Sequence, residues 1–177
     1  MKKIFVVSIL LYIALNLLSF GTGLFVLDLG QTVSELLSGI QLLAYAFTFY
    51  SLAFYAQKYP DTKHFVLSVY FMLTFSWLPS VFTALQGNSS PWFAALSGFA
   101  GFLAFVYFFV RVHQLRVLEL ASYARLFAYV DLGTRLARLA FPYLAAQKGD
   151  PGLLAYMGLL DILPMLALLN LVVRQKE

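Results

Sequence analysis

From Ile4 to Leu27 the chain carries no charged residue, and the same holds from Leu36 to Gln57 and from Phe65 to Val110. A bilayer core about 30 Å thick is crossed by roughly 20 apolar residues of helix, each rising 1.5 Å. The first two runs have that length and end at Asp28 and Lys58. The third is too long for one crossing. It is broken by Gln86-Gly-Asn-Ser-Ser-Pro91, a cluster of turn formers, into spans near 65–85 and 92–110. A further run, Leu153 to Val173, carries Asp161 as its single charge. Five spans follow directly from these lengths.

Composition agrees with that reading. Charged residues make up 11% of the chain, hydrophobic residues 62%, and the mean hydropathy is +0.82. A soluble domain has about a quarter of its residues charged. The shortfall implies a surface that faces hydrocarbon. With 177 residues the chain is expected to form one integral membrane domain over 1–177, all-α, with no second domain. Lys2 and Lys3 before an apolar stretch resemble a signal peptide. The run outlasts a signal segment, however, and Ser19-Phe-Gly21 is not an Ala-x-Ala site, so the first span, about 4–27, is expected to be retained.

The stretch from Val117 to Gln147 decides the number of crossings. It contains Glu119, Arg125, Asp131, Arg135 and Arg138. At 100° per residue the last three fall within a stripe about 60° wide. Ala121, Ala124 and Ala128 extend the stripe toward the helix start, and Leu, Phe, Val and Tyr dominate elsewhere. A helix lying on the membrane would show a broader charged face. A narrow stripe of charges and small residues suits a span that turns this side into a bundle. The expectation is therefore six spans, the fifth near 126–147 and the sixth near 153–173, with five spans as the alternative. Residues 111–125 would form a short amphipathic helical extension at the cytoplasmic face.

Both models satisfy the positive-inside rule. With six spans and both termini cytoplasmic, Lys2, Lys3, Lys58, Lys63, Arg111, Arg116, Arg174 and Lys176 lie inside, and Lys148 lies outside with Asp28, Glu35 and Asp150. The net charge of +4 could suggest nucleic acid or anionic lipid, but the basic residues lie at the edges of apolar runs and are read as topology signals. The short loops and this bias point to a prokaryotic cytoplasmic (inner) membrane.

The chemistry concentrates in the last hairpin, which turns at Lys148-Gly-Asp-Pro-Gly152. Arg138 precedes the middle of this turn by nearly the same distance as Asp161 follows it, placing both on the order of 17 Å below the outer end. At matching depth on antiparallel helices the two can pair; unpaired, each would cost several kcal/mol (~3) near the bilayer centre. Pro142 and Pro164 deprive the carbonyls of Arg138 and Leu160 of donors, so each helix is expected to kink beside its charge. Asp131 and Arg135 add an i,i+4 pair one turn nearer the cytoplasm. The four charges sum to zero. They serve either as a polar pathway or anion site, or as a self-neutralising register lock.

Other features carry less. His64 and His113 sit near the cytoplasmic interface without a third ligand at supporting spacing, so no metal or cofactor is expected. Tyr45, Phe49, Tyr50, Phe54, Tyr55 and Tyr59 crowd the second span, and are read as interfacial and lipid-facing rings or as an aromatic-lined groove for a lipid, quinone or pigment. Gly21, Gly23, Gly98 and Gly101 are read as sites of close helix contact. With no cysteine, disulfides and thiolate chemistry are excluded. No Gly-x-Ser-x-Gly, His-Glu-x-x-His or phosphate-loop pattern occurs, which argues against an enzyme. The expected role is a non-catalytic subunit or accessory component of a membrane complex, partnered by lipid and other membrane subunits. The alternative is a small transporter or substrate-binding membrane protein using Asp131, Arg135, Arg138 and Asp161.

Overall fold

The computed structural model describes residues 2–24, 30–86, 91–148 and 156–174. These residues form helices α1 (Lys2–Leu24), α2 (Gln31–Ala56), α3 (Lys63–Gln86), α4 (Pro91–His113), α5 (Leu118–Lys148), α6 (Tyr156–Leu160) and α7 (Ile162–Arg174), with no strand among them. Among the described residues three helices are long and apolar enough to cross a membrane, over Lys3–Thr22, Val33–Ala56 and Ala95–His113; Lys63–Phe75 is apolar over a shorter length. The hairpin turn at 148–152 and the Gln86–Pro91 turn lie mostly outside the described residues.

Two links at one end of the molecule have defined chemistry. Between α2 and α3, Asp61 adopts a left-handed backbone (φ 64°), a conformation that Asp tolerates better than most residues. The Thr62 hydroxyl donates to the carbonyls of Ala56 and Tyr59 (2.7 and 2.9 Å), and Val66 N–H bonds to the Thr62 carbonyl (2.9 Å) to start α3. Thr62 thus seals the end of one helix while opening the next. Between α4 and α5 the chain leaves the helix at 114–117. Here the expectation of one helical extension over 111–125 is corrected. Gln114 and Leu115 close the last turn of α4, and Val117 accepts the first bond of α5 from Ala121 N–H (2.8 Å). Leu115, Leu120, Ala121 and Ala124 are buried, so the segment folds back as a hairpin instead of extending outward. Arg125 Nη2 donates to the His113 and Leu115 carbonyls (3.3 and 3.5 Å), supplying donors to the end of α4.

Neighbouring helices touch in the order α1, α2, α3, α4, α5, α7 and back to α1, with α6 against α1, α5 and α7. The bundle is therefore a closed ring. Its buried core lies at the end that carries the two links just described. It draws on Phe5 and Ile9 of α1, Phe49, Leu52 and Ala56 of α2, Phe65 and Val69 of α3, Phe105 and Phe108 of α4, and Leu120, Ala124 and Phe127 of α5. Ala53, Ala56, Ala121, Ala124 and Ala128 are all at most 2% exposed. In hydrocarbon, helices gain little from leaving solvent, so close packing over small residues supplies the cohesion. Outward faces carry Leu10, Leu17, Phe47, Leu96, Phe99 and Phe102.

Three expectations change on contact with the fold. Phe49 is a fully buried core ring, wedged between Tyr45 and Phe127, and faces no lipid. At Gly21 and Gly98 a Cβ would meet open space, while at Gly101 it would lie 3.7 Å from the Phe75 carbonyl oxygen; the surroundings of Gly23 lie outside the described residues. The two prolines also differ. α5 continues through Pro142, whereas the last helix breaks at Asp161, where Pro164 leaves the Leu160 carbonyl without its helical donor.

Candidate functional site

At the end opposite the core the inside of the ring is not filled by side chains. Between α2 and α5 lies an open cavity of about 620 Å³, floored by α1 and α7. Along α2 its lining runs from Ser34 to Phe49, a rise of about 22 Å at 1.5 Å per residue.

The wall toward the core is aromatic. Tyr12 packs on Tyr45 (ring centroids 5.7 Å apart), Tyr45 on Phe49 (4.6 Å), Phe49 on Phe127 (5.7 Å) and Phe127 on Phe108 (5.8 Å). This chain of tilted and edge-on rings links α1, α2, α5 and α4 and closes the inner end of the cavity. Toward the opposite end the α2 side becomes polar, with Gln41, Ser38, Glu35 and Ser34.

All four charges singled out in the sequence, Asp131, Arg135, Arg138 and Asp161, line this cavity. Arg135 Nε donates to Asp131 Oδ2 (2.8 Å), and Arg138 Nη2 pairs with Asp161 Oδ2. The second pair joins α5 to the break between α6 and α7. Interrupting the helix at Asp161 brings its carboxylate to the cavity wall one turn before Pro164, itself a lining residue. The Arg135 guanidinium also lies over the Phe105 ring, 4.6 Å from its centroid. Stacking uses the face of the guanidinium and leaves N–H groups at its edge. Both arginine side chains stay partly exposed, at 36% for Arg135 and 43% for Arg138. Each guanidinium carries five N–H donors, and each engages its carboxylate through one nitrogen. Donors for a further anion therefore remain.

On the α2 side the sequence offers Tyr45 and Phe49 as part of a groove, whereas it does not anticipate Tyr12 or the Asn16–Gln41 pair. Asn16, 2% exposed, donates from Nδ2 to the Tyr12 carbonyl (2.8 Å) and accepts from Gln41 Nε2 (2.8 Å). This interhelical bond fixes the backbone that carries Tyr12 and Gln41 into the cavity. Its signal was present in the sequence as two amide side chains within otherwise apolar spans, where each needs a partner.

Other sequence candidates fall elsewhere. His113 uses Nδ1 with the Phe109 carbonyl and Nε2 with the Tyr129 hydroxyl (both 2.8 Å), tying α4 to α5. His64 lines a separate cleft near the α2–α3 turn, so the two histidines do not share a site. Among the described residues no group of three or more His, Asp or Glu side chains could hold a metal ion. The side chain of Pro142 lies outside the described residues.

The arrangement as a whole offers an aromatic surface, a row of hydroxyl and amide groups, and two arginines set against three carboxylates, Asp131, Asp161 and Glu35. Compared with models of known families, with curated proteins and with solved structures, the chain matches none.

Proposed function

We propose that this chain is a six-span integral membrane protein of a prokaryotic cytoplasmic membrane that binds a small amphipathic anion, as a transporter or substrate-binding component. The observation that carries this reading is the placement of Arg135 and Arg138 on the wall of a 620 Å³ cavity whose inner end is aromatic. Pockets for small molecules combine an apolar lining with a few convergent polar groups, at volumes of about 300–1,000 Å³. The arginines would fix a carboxylate or phosphate group, and the rings of Tyr12, Tyr45, Phe49 and Phe127 would cover an apolar or aromatic body. A self-neutralising register lock would need no cavity beside it, which is why the binding role is preferred over a purely structural one. Catalysis is left out of the reading, since the sequence holds no nucleophile–base or phosphate-loop motif.

In the six-span arrangement α5 crosses with its charged stripe turned inward and the cavity opens toward the outer face. Single cysteines test this arrangement in a chain that has none. A cysteine replacing Gln114 and one replacing Gln175 should label from the cytoplasmic side, and one replacing Trp92 from the outside. Labelling of the Gln175 position from outside only would leave five spans.

Ligand binding is tested by thermal unfolding of the purified protein against aromatic and aliphatic carboxylates, each paired with its neutral amide. A ligand at 100 times its Kd stabilises by about 2.7 kcal/mol. The expected result is stabilisation by a carboxylate, absent with its amide and lost in Arg138→Ala. Equal effects of acid and amide across the series would remove the anion site.

A second reading, an accessory subunit, is favoured by the outer half of α4. There Trp92, Leu96, Phe99 and Leu103 are 50–81% exposed at helical spacing. Such a face suits either lipid or a partner helix. Stoichiometric co-purification of another membrane protein from native membranes, lost on replacing Leu96 and Phe99 by Ala, would support it.

A further inference from the structure

A second cleft, of about 630 Å³, lies at the opposite end of the bundle from the ligand cavity. It is formed by the α2–α3 turn (residues 60–65) and the α4–α5 link (residues 111–117). Four basic side chains line it, Lys63, His64, Arg111 and Arg116, against one acid, Asp61. Among the described residues no ion pair joins Lys63, His64, Arg111 or Arg116 to a carboxylate. Arg111 is held in place by its own surroundings. Its guanidinium lies over Tyr107, 5.0 Å from the ring centroid, and Nη1 donates to Gln114 Oε1 (2.7 Å). Its buried Nε has no hydrogen-bond partner. A buried donor without an acceptor is costly, and its presence marks a place where a missing acceptor would be favourable.

The backbone adds donors to the same cleft. The first hydrogen bond of α3 runs from Val66 N–H to the Thr62 carbonyl, so the N–H groups of Lys63, His64 and Phe65 precede it as the open donors of a helix start. With the Thr62 hydroxyl turned to Ala56 and Tyr59, no side chain of the turn caps them. A helix start of this kind favours anions.

We infer that this cleft binds a phosphate group, held between Arg111 and Arg116 of the α4–α5 link and the start of α3. Two sources have that chemistry: the headgroup of an anionic lipid in the leaflet at this end, or a soluble phosphate ester. Basic pockets between helices on the cytoplasmic side are suited to lipid phosphates. A bound phosphate would cross-link the two links of this end and so stabilise the half of the bundle that holds its core.

The test uses the purified full chain in phosphatidylcholine nanodiscs with and without phosphatidic acid, with retained lipid read by native mass spectrometry and stability by thermal unfolding. Phosphatidic acid should be retained over phosphatidylcholine and should raise the unfolding temperature. Arg111→Gln and Arg116→Gln should each weaken its retention by about tenfold, or 1.4 kcal/mol. Lys58→Gln, which removes an exposed cation at the same end but outside the cleft, should leave retention unchanged. Arg116 is exposed, so its variant decides the matter even if Arg111→Gln fails to fold. Glycerol phosphate added to discs of phosphatidylcholine alone separates the sources. Stabilisation that depends on Arg116 assigns the cleft to a soluble ester; no effect, beside retention of phosphatidic acid, assigns it to lipid. Equal retention of both lipids with no effect of glycerol phosphate, or an equal loss in Lys58→Gln and Arg116→Gln, overturns the inference.

Discussion

Arg138 on α5 and Asp161 at the break between α6 and α7 form an ion pair across 23 residues of sequence. The pair sits on the cavity wall, where 43% of the arginine side chain and 23% of the aspartate remain exposed. Full burial would make the loss of one partner cost about 3–5 kcal/mol. Partial exposure lowers this, and Asp161→Asn or Arg138→Ala should each destabilise the protein by about 1–2 kcal/mol. The exchanged pair Arg138→Asp with Asp161→Arg should recover more than half of that loss without recovering anion binding. Unfolding in detergent, followed alongside ligand binding, measures the two effects separately.

Asn16 and Gln41 make the polar bridge between α1 and α2. Asn16→Leu should destabilise by about 0.5–2 kcal/mol, the range of hydrogen bonds between membrane helices. Adding Gln41→Leu should cost less than the sum of the single changes, since both remove the same bond. A double-mutant cycle that gives no coupling would mean that the two amides act independently.

Phe127, 1% exposed, stands between Phe49 and Phe108 and closes the inner end of the cavity. In soluble proteins Phe→Ala costs about 3–5 kcal/mol. In the six-span arrangement proposed above the unfolded side chain would already face hydrocarbon, so Phe127→Ala should cost about 2–4 kcal/mol, through lost packing alone. It should also lengthen the cavity toward Phe108. A larger ligand of the same charge should then bind the variant better than the parent, relative to the original ligand.

The glycines give a test of fine packing. A Cβ at Gly98 meets nothing within 4 Å, and one at Gly101 comes to an ordinary 3.7 Å from the Phe75 carbonyl oxygen. Gly98→Ala should therefore stabilise α4 by up to about 1 kcal/mol through reduced backbone freedom. Gly101→Ala should be close to neutral, and Gly101→Leu destabilising, as the longer side chain must displace α3. Thermal unfolding of the three variants orders them.

The sequence by itself determined the helical character of the chain and the approximate reach of its apolar helices, because uncharged runs of bilayer length are a local property read one segment at a time. The pairing of Arg138 with Asp161 was also legible, since a hairpin relates positions before and after its turn by simple counting. Local reading could not tell which side of the ring each helix presents. Phe49 and Tyr50 are adjacent aromatics in the same span, yet one is fully buried and the other 48% exposed. That difference arises from the rotation of α2 against α1 and α3. The 111–125 segment reads as a continuation of helix, but burial of Leu115, Leu120 and Ala121 against other helices folds it into a hairpin. Only the closed ring of helices decided that the four charges share one cavity with Tyr12, Gln41 and Tyr45, because a cavity is the space left between elements and no single segment encodes it.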